Sequence, residues 1–226
     1  MTKSSDTSTM PDKPAKRYTT GEEIGNAVTH GIGAALSCAA IPLLIIRAIH
    51  STSLQNKPIG IVSAAICGAC MLFLYMMSTM YHSLTPLKAK KVFGILDHSS
   101  IYVLIAGTYT PYCLAGIGGA LGWTVFGIEW GLAALGCTFY AVFGSRMRWL
   151  SAVTYLPMAW AIVFAWSAFS SSVPAHTSFF LLLGGIAYTI GFIFYALKSI
   201  KWMHTIFHVF CLAGTIFHFF SLMYMF

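Results

Sequence analysis

The chain has 226 residues, of which 58% are hydrophobic and only 8% charged, a balance that excludes an ordinary soluble domain of this length. Its formal charge of +7 comes from thirteen Lys and Arg scattered over short polar stretches, not gathered on one face, so nucleic acid is not an expected partner. All six cysteines fall inside apolar stretches, so no disulfide framework is implied and Cys67-Gly-Ala-Cys70 reads as two small buried residues rather than a metal or redox pair.

Residues 1–18 (MTKSSDTSTMPDKPAKRY) have the Ser-, Thr-, Lys- and Pro-rich composition of a disordered tail. The apolar run that follows is too long for a signal peptide, and Glu22 and Glu23 precede it. From residue 19 to 226 the chain reads as one membrane domain. A helix needs about 20 predominantly apolar residues to cross the hydrocarbon core, and seven stretches qualify: about 24–49, 58–83, 95–117, 121–144, 149–170, 177–198 and 204–226. Pro42, Pro111 and Pro157 lie inside these spans and predict kinks. The expected fold is an all-α integral membrane protein of seven transmembrane helices.

The first span opens with Glu23, Asn26 and His30. Thr20-Gly21-Glu22-Glu23 fits a capping box, so Glu23 either caps the helix or, with Asn26 and His30, supports a site from behind. The second span ends with Ser78 and His82, the third begins with Asp97, and the seventh begins with His204 and His208. Glu129 stands alone in the fourth span, and His98 reads as a neighbour of Asp97. His218 lies fourteen residues beyond His204, about 21 Å along a helix, too far to share its metal.

Charge sets the orientation. With the N-terminus cytoplasmic, the inside segments carry Lys3, Lys13, Lys16 and Arg17, then Lys88, Lys90 and Lys91, then Arg146 and Arg148, then Lys198 and Lys201, leaving only Arg47 and Lys57 outside. The positive-inside rule therefore predicts a cytoplasmic N-terminus and an exoplasmic C-terminus, the reverse of G-protein-coupled receptors. In that threading the four polar constellations come to one level near the cytoplasmic side. Ionisable groups within spans are costly, so their convergence reads as a site.

His204 and His208, four apart, present both imidazoles on one helical face, the spacing of a two-histidine zinc clamp, and His82 supplies a third ligand. The bland alternative is a pair of interfacial histidines reaching toward headgroups. Three histidines leave a tetrahedral zinc an open position, where Asp97 can hold or deprotonate water; a carboxylate at a helix start can equally cap free N–H groups. Ser78, one turn before His82, can hydrogen-bond that water or a substrate carbonyl, or only its own backbone.

The segments EEIGNAVTHGIG (22–33), STMYHS (78–83), LDHSSIYVLIAGTYTP (96–111) and HTIFHVFCLAGTIFHF (204–219) together resemble the signature motifs of the progestin and adipoQ receptor family, in its bacterial haemolysin III-like branch. The resemblance covers nearly the whole chain and implies an intramembrane Zn2+ site in a bacterial inner membrane. It implies His82, His204 and His208 as ligands, Asp97 holding the water, and Ser78 close by. The related alkaline ceramidases and adiponectin receptors imply hydrolysis of a lipid amide or ester, with membrane lipids of ceramide-like or acyl type as partners. Two other readings stand beside the hydrolase: a cytolysin or pore, and a sensor of membrane state in which zinc staples helices without turnover.

Overall fold

The computed structural model describes residues 18–226, so the tail expected over residues 1–18 lies outside the described residues except for Tyr18. Tyr18 itself is buried against the bundle, not part of a loose tail. The described chain is all helical: α1 (Thr20–His50), α2 (Lys57–Ser83), α3 (Leu87–Pro111), α4 (Gly119–Phe143), α5 (Arg148–Ala159), α6 (Trp166–Ser172), α7 (Ala175–Ala196) and α8 (Met203–Met225). Among the described residues, seven spans are long and apolar enough to cross a membrane, the fifth formed by α5 and α6 together. This is a multi-pass integral membrane protein.

The helices are built inside out relative to a soluble bundle. Along α1, Ile24, Val28, Ile32, Leu36, Leu43 and Ile46 are exposed, while Asn26, His30, Gly33 and Ser37 are buried. Both sets follow the three-to-four residue spacing of one helical face, so the apolar face meets lipid and the polar face meets protein. Small residues permit the close packing this requires: a side chain on Gly33 would strike the Tyr75 ring at 2.5 Å, and Tyr75 in turn donates from its hydroxyl to Thr215 Oγ1 at 2.7 Å, tying α2 to α8. α1 packs against both α2 and α8, α7 against α8, and α3 lies between α2 and α4.

Three boundaries differ from the sequence reading. The capping box is formed by Thr19 and Glu22, one residue earlier than the Thr20–Glu23 frame, which leaves Glu23 without a capping role. α3 begins at Leu87, not near 95, so Lys88, Lys90 and Lys91 lie on its first turns and Asp97 sits in its interior. Asp97 is therefore not at the helix start, and the capping explanation for it falls. The fifth span is interrupted by a 3-10 turn over Ala161–Ala165 just after Pro157, and the third continues past Pro111 as a π-helical segment, Tyr112–Ile117. Proline removes an N–H and leaves carbonyls that such local rewinding can satisfy.

Candidate metal centre

One ring nitrogen from each of His82, His204 and His208 lies within 4.8 Å of the others, and all three residues are buried. His82 comes from the last turn of α2, and the other two come from the first turns of α8. Four-residue spacing brings His204 Nε2 to 3.2 Å from His208 Nε2. Two imidazoles on a tetrahedral zinc, each about 2.0–2.1 Å from the ion, have nitrogens roughly 3.3 Å apart, so this pair has the spacing of a shared ligand set.

For His82 and His208 the opposite ring nitrogens are engaged in a way that turns the Nε2 lone pairs inward. Glu23 Oε2 lies 2.6 Å from His82 Nδ1, and an ionised carboxylate can only accept, so Nδ1 carries the proton. Asn26 Nδ2 also approaches His82 Nδ1, at 3.4 Å, but would need the opposite role and yields to the shorter carboxylate contact. His82 Nε2 is buried with no hydrogen-bond partner. His208 Nδ1 donates to the Asn26 carbonyl at 3.2 Å, which likewise fixes its Nε2 as a lone-pair site. A carboxylate behind His82 and a carbonyl behind His208 are the arrangement that fixes tautomer and raises ligand basicity in metal sites. The donor set fits a zinc ion.

Around this cluster, His30 stacks on His208 with ring centroids 3.6 Å apart, and Tyr18 stacks on His204 at 5.0 Å. Thr205 donates to Asn26 Oδ1 at 2.6 Å, and Lys90 Nζ reaches Glu23 Oε1 at 2.6 Å. Glu22 holds the neighbouring loop, accepting from Trp202 N at 2.9 Å, where Trp202 adopts the left-handed φ of 66°. Tyr18, Lys90, Thr205 and Trp202 had no motif to announce them. Tyr18 and Lys90 come from segments with no histidine spacing, while Thr205 and Trp202 flank His204 and act through bonds to α1.

Asp97 and Ser78 are placed differently. Asp97 lines a chamber whose walls also include His30, His204 and His208. His98 Nδ1 lies 3.5 Å from Asp97 Oδ2 but meets the Gly94 carbonyl at 2.9 Å, so it does not take up the carboxylate. Ser78 Oγ is buried on the His82 face of α2 and makes no hydrogen bond to protein. The chamber has a volume of about 130 Å³ and is walled mainly by apolar and aromatic side chains from α3, α5, α7 and α8. A second, wider pocket at the same end of the bundle reaches Glu23, His82, Lys90 and Lys91.

Outside the cluster, Glu129 is fully buried with neither carboxylate oxygen hydrogen-bonded, and His218 is buried at the far end of the chamber. Neither belongs to the metal-compatible group. All six cysteines are free.

Comparison with known proteins places these residues in a lineage. A family model described as Haemolysin-III related matches residues 18–219. The chain is 44% identical over 207 residues to the "Hemolysin-3 homolog" of Bacillus subtilis (strain 168), an alignment covering 92% of this chain and 95% of that protein. It is 42% identical over 203 residues to "Hemolysin-3" of Bacillus cereus, covering 90% and 91% of the two chains.

Proposed function

The chain belongs to the haemolysin III-related family, and we propose that it is a zinc-dependent hydrolase of a lipid amide or ester, acting from within the bacterial inner membrane. The observation that carries the proposal is the buried His82/His204/His208 cluster, two of whose members, His204 and His208, line an apolar chamber together with Asp97. Three neutral ligands leave a coordination position for chemistry, and a chamber walled by Leu74, Ile101, Leu104 and Phe207 suits an acyl chain. Bound there, zinc supplies a Lewis acid and acidifies water enough for attack at neutral pH.

The protein's own groups divide the remaining work. Glu23 and the Asn26 carbonyl hold two of the imidazoles in the correct tautomer and orientation. Asp97, facing the same chamber, takes the proton from the attacking water and delivers it to the departing amine or alcohol. The Ser78 hydroxyl, buried without a protein partner, is the donor available to a substrate carbonyl. A cytoplasmic N-terminus would put the site at the inner leaflet, where an amphiphile can enter with its headgroup toward Lys90 and Lys91.

The test couples metal analysis of purified protein to a lipid panel of ceramides and other acyl lipids. Wild type should hold about one zinc per chain and show chelator-sensitive turnover. Asp97→Asn keeps the side chain's shape but removes the base; it should retain zinc and fold yet lose turnover by about a hundredfold, the scale of general-base loss. Wild type that binds zinc but turns over nothing on the panel would favour stapling, and dye release from liposomes regardless of chelation would favour a pore. Either result overturns the hydrolase reading.

A further inference from the structure

The chamber has a second polar end that the proposed chemistry does not use. His218 lies ten residues beyond His208 on α8, about 15 Å along the helix axis, and lines the same cavity as Asp97, His204 and His208. It is buried, and the space for its ring is made by Gly184 on α7, where any side chain would collide with the imidazole edge. The ring approaches the Leu181 carbonyl on α7, and neither nitrogen makes a hydrogen bond of ordinary geometry. A carbonyl can accept from one ring nitrogen at most. The other has no protein partner at all.

A buried imidazole with an unsatisfied nitrogen is costly unless something occupies the cavity beside it. The surroundings say what kind of group that is. Tyr112 and Tyr188 pack their rings against His218, with centroids 6.3 and 5.5 Å away, and the Tyr112 hydroxyl donates to the His218 backbone carbonyl at 3.4 Å rather than meeting the imidazole. The Tyr188 hydroxyl is already engaged with Thr215 at 2.6 Å. A plain hydrocarbon terminus would leave the imidazole unpaired. A charged terminus would find no counter-charge.

We infer that the far end of the chamber is a hydroxyl-recognition subsite, in which His218 hydrogen-bonds a hydroxyl carried on the lipid chain about 15 Å from the carbonyl held at the metal centre. A hydroxyl both donates and accepts, so it satisfies the free nitrogen in either tautomer. Half of a hydrocarbon core about 30 Å thick is the reach of one leaflet's acyl chain, so the hydroxyl would lie near the end of a chain of ordinary length. The inference rests on the hydrolase reading for the direction in which the lipid lies, and it makes His218 a specificity-determining residue.

Equilibrium binding separates the two, because it needs no turnover. Zinc-loaded full-length protein in detergent is titrated with dodecanoic acid, its terminally hydroxylated analogue and its 3-hydroxy analogue. Wild type should bind the terminally hydroxylated acid about fivefold to tenfold more tightly than the plain acid, the scale of one net hydrogen bond. The 3-hydroxy analogue should show no such gain. His218→Leu should abolish the preference while binding the plain acid at least as well, and His218→Gln, which keeps a hydrogen-bonding group, should retain much of it and guards against a Leu variant that fails to fold. Equal binding of plain and terminally hydroxylated acids by wild type overturns the inference, as does a preference that survives in His218→Leu. Failure of every acid to bind also overturns it, yet leaves zinc-dependent hydrolysis of other lipids to stand or fall on the Asp97 test.

Discussion

Glu23 offers the sharpest test of how the metal centre is built, because two neighbouring glutamates divide two jobs that the sequence alone assigns to one. Glu23 Oε2 sits 2.6 Å from His82 Nδ1 and its other oxygen 2.6 Å from Lys90 Nζ. Glu22 caps α1 through Thr19 and holds Trp202 N. Losing a carboxylate behind a histidine ligand costs roughly 10–100-fold in metal affinity, which is about 1.4–2.8 kcal/mol. Glu23→Gln keeps an acceptor but not the charge and should weaken zinc binding by about tenfold; Glu23→Ala, which leaves Nδ1 unpaired, should approach a hundredfold. The Lys90 side chain is 28% exposed, so Lys90→Met removes only a screened ion pair and should change affinity by less than about fivefold. Glu22→Gln weakens a helix cap and should lower thermal stability by about 1 kcal/mol with zinc affinity near that of wild type. The assay is competition against a chromophoric chelator in detergent, alongside thermal melts of the apo forms. Wild-type zinc affinity in Glu23→Ala, or an equal loss in Glu22→Gln, would refute the division of labour.

Two further outcomes are expected. The double variant His204→Ala/His208→Ala should hold no zinc and melt at the same temperature with or without added metal, whereas wild type should be stabilised by zinc through linkage; full occupancy in the double variant would rule out this ligand set. A reporter fused before Met1 should score as cytoplasmic and one after Phe226 as exoplasmic, as the eleven-to-two partition of basic residues requires. A cytoplasmic C-terminal reporter would remove the inner-leaflet placement of the site.

The histidine cluster was legible in the sequence because two of its ligands are neighbours on one helix and the third closes another, so spacing and span boundaries alone bring them to one depth. The start of α3 was not, since Lys88, Lys90 and Lys91 read as a loop. Lysine stems can lie along apolar surface with their amines in water, and the helix begins beneath them at Leu87. The same shift moved Asp97 from a presumed helix start to the chamber wall. The choice between Glu22 and Glu23 as cap turned on a one-residue frame, which composition cannot resolve; what decides it is the position of His82, fifty-nine residues away, beside Glu23. Tyr18 and Thr205 contribute through contacts between segments far apart in sequence, and such contacts leave no periodic trace.

The network behind the ligands also bears on why a metal would be kept here. If zinc served only to staple helices, the protein would be expected to rely on it for joining α1, α2 and α8 at this level. Those helices are already joined without it: Glu23 on α1 binds His82 on α2, and Asn26 on α1 receives both the Thr205 hydroxyl and the His208 Nδ1 proton from α8. Tyr75 adds a bond from α2 to Thr215 on α8 two turns deeper. Protein hydrogen bonds therefore set the orientations of the His82 and His208 rings, so less ordering is left for an ion to impose, and preorganisation of this kind favours tight binding at an open coordination position over mechanical bracing. The unbonded groups point the same way. Ser78 Oγ and His82 Nε2 are buried without protein partners at the end of α2 that carries the cluster, and unsatisfied polar atoms in a membrane interior are retained at a cost that a ligand or a reacting group can offset.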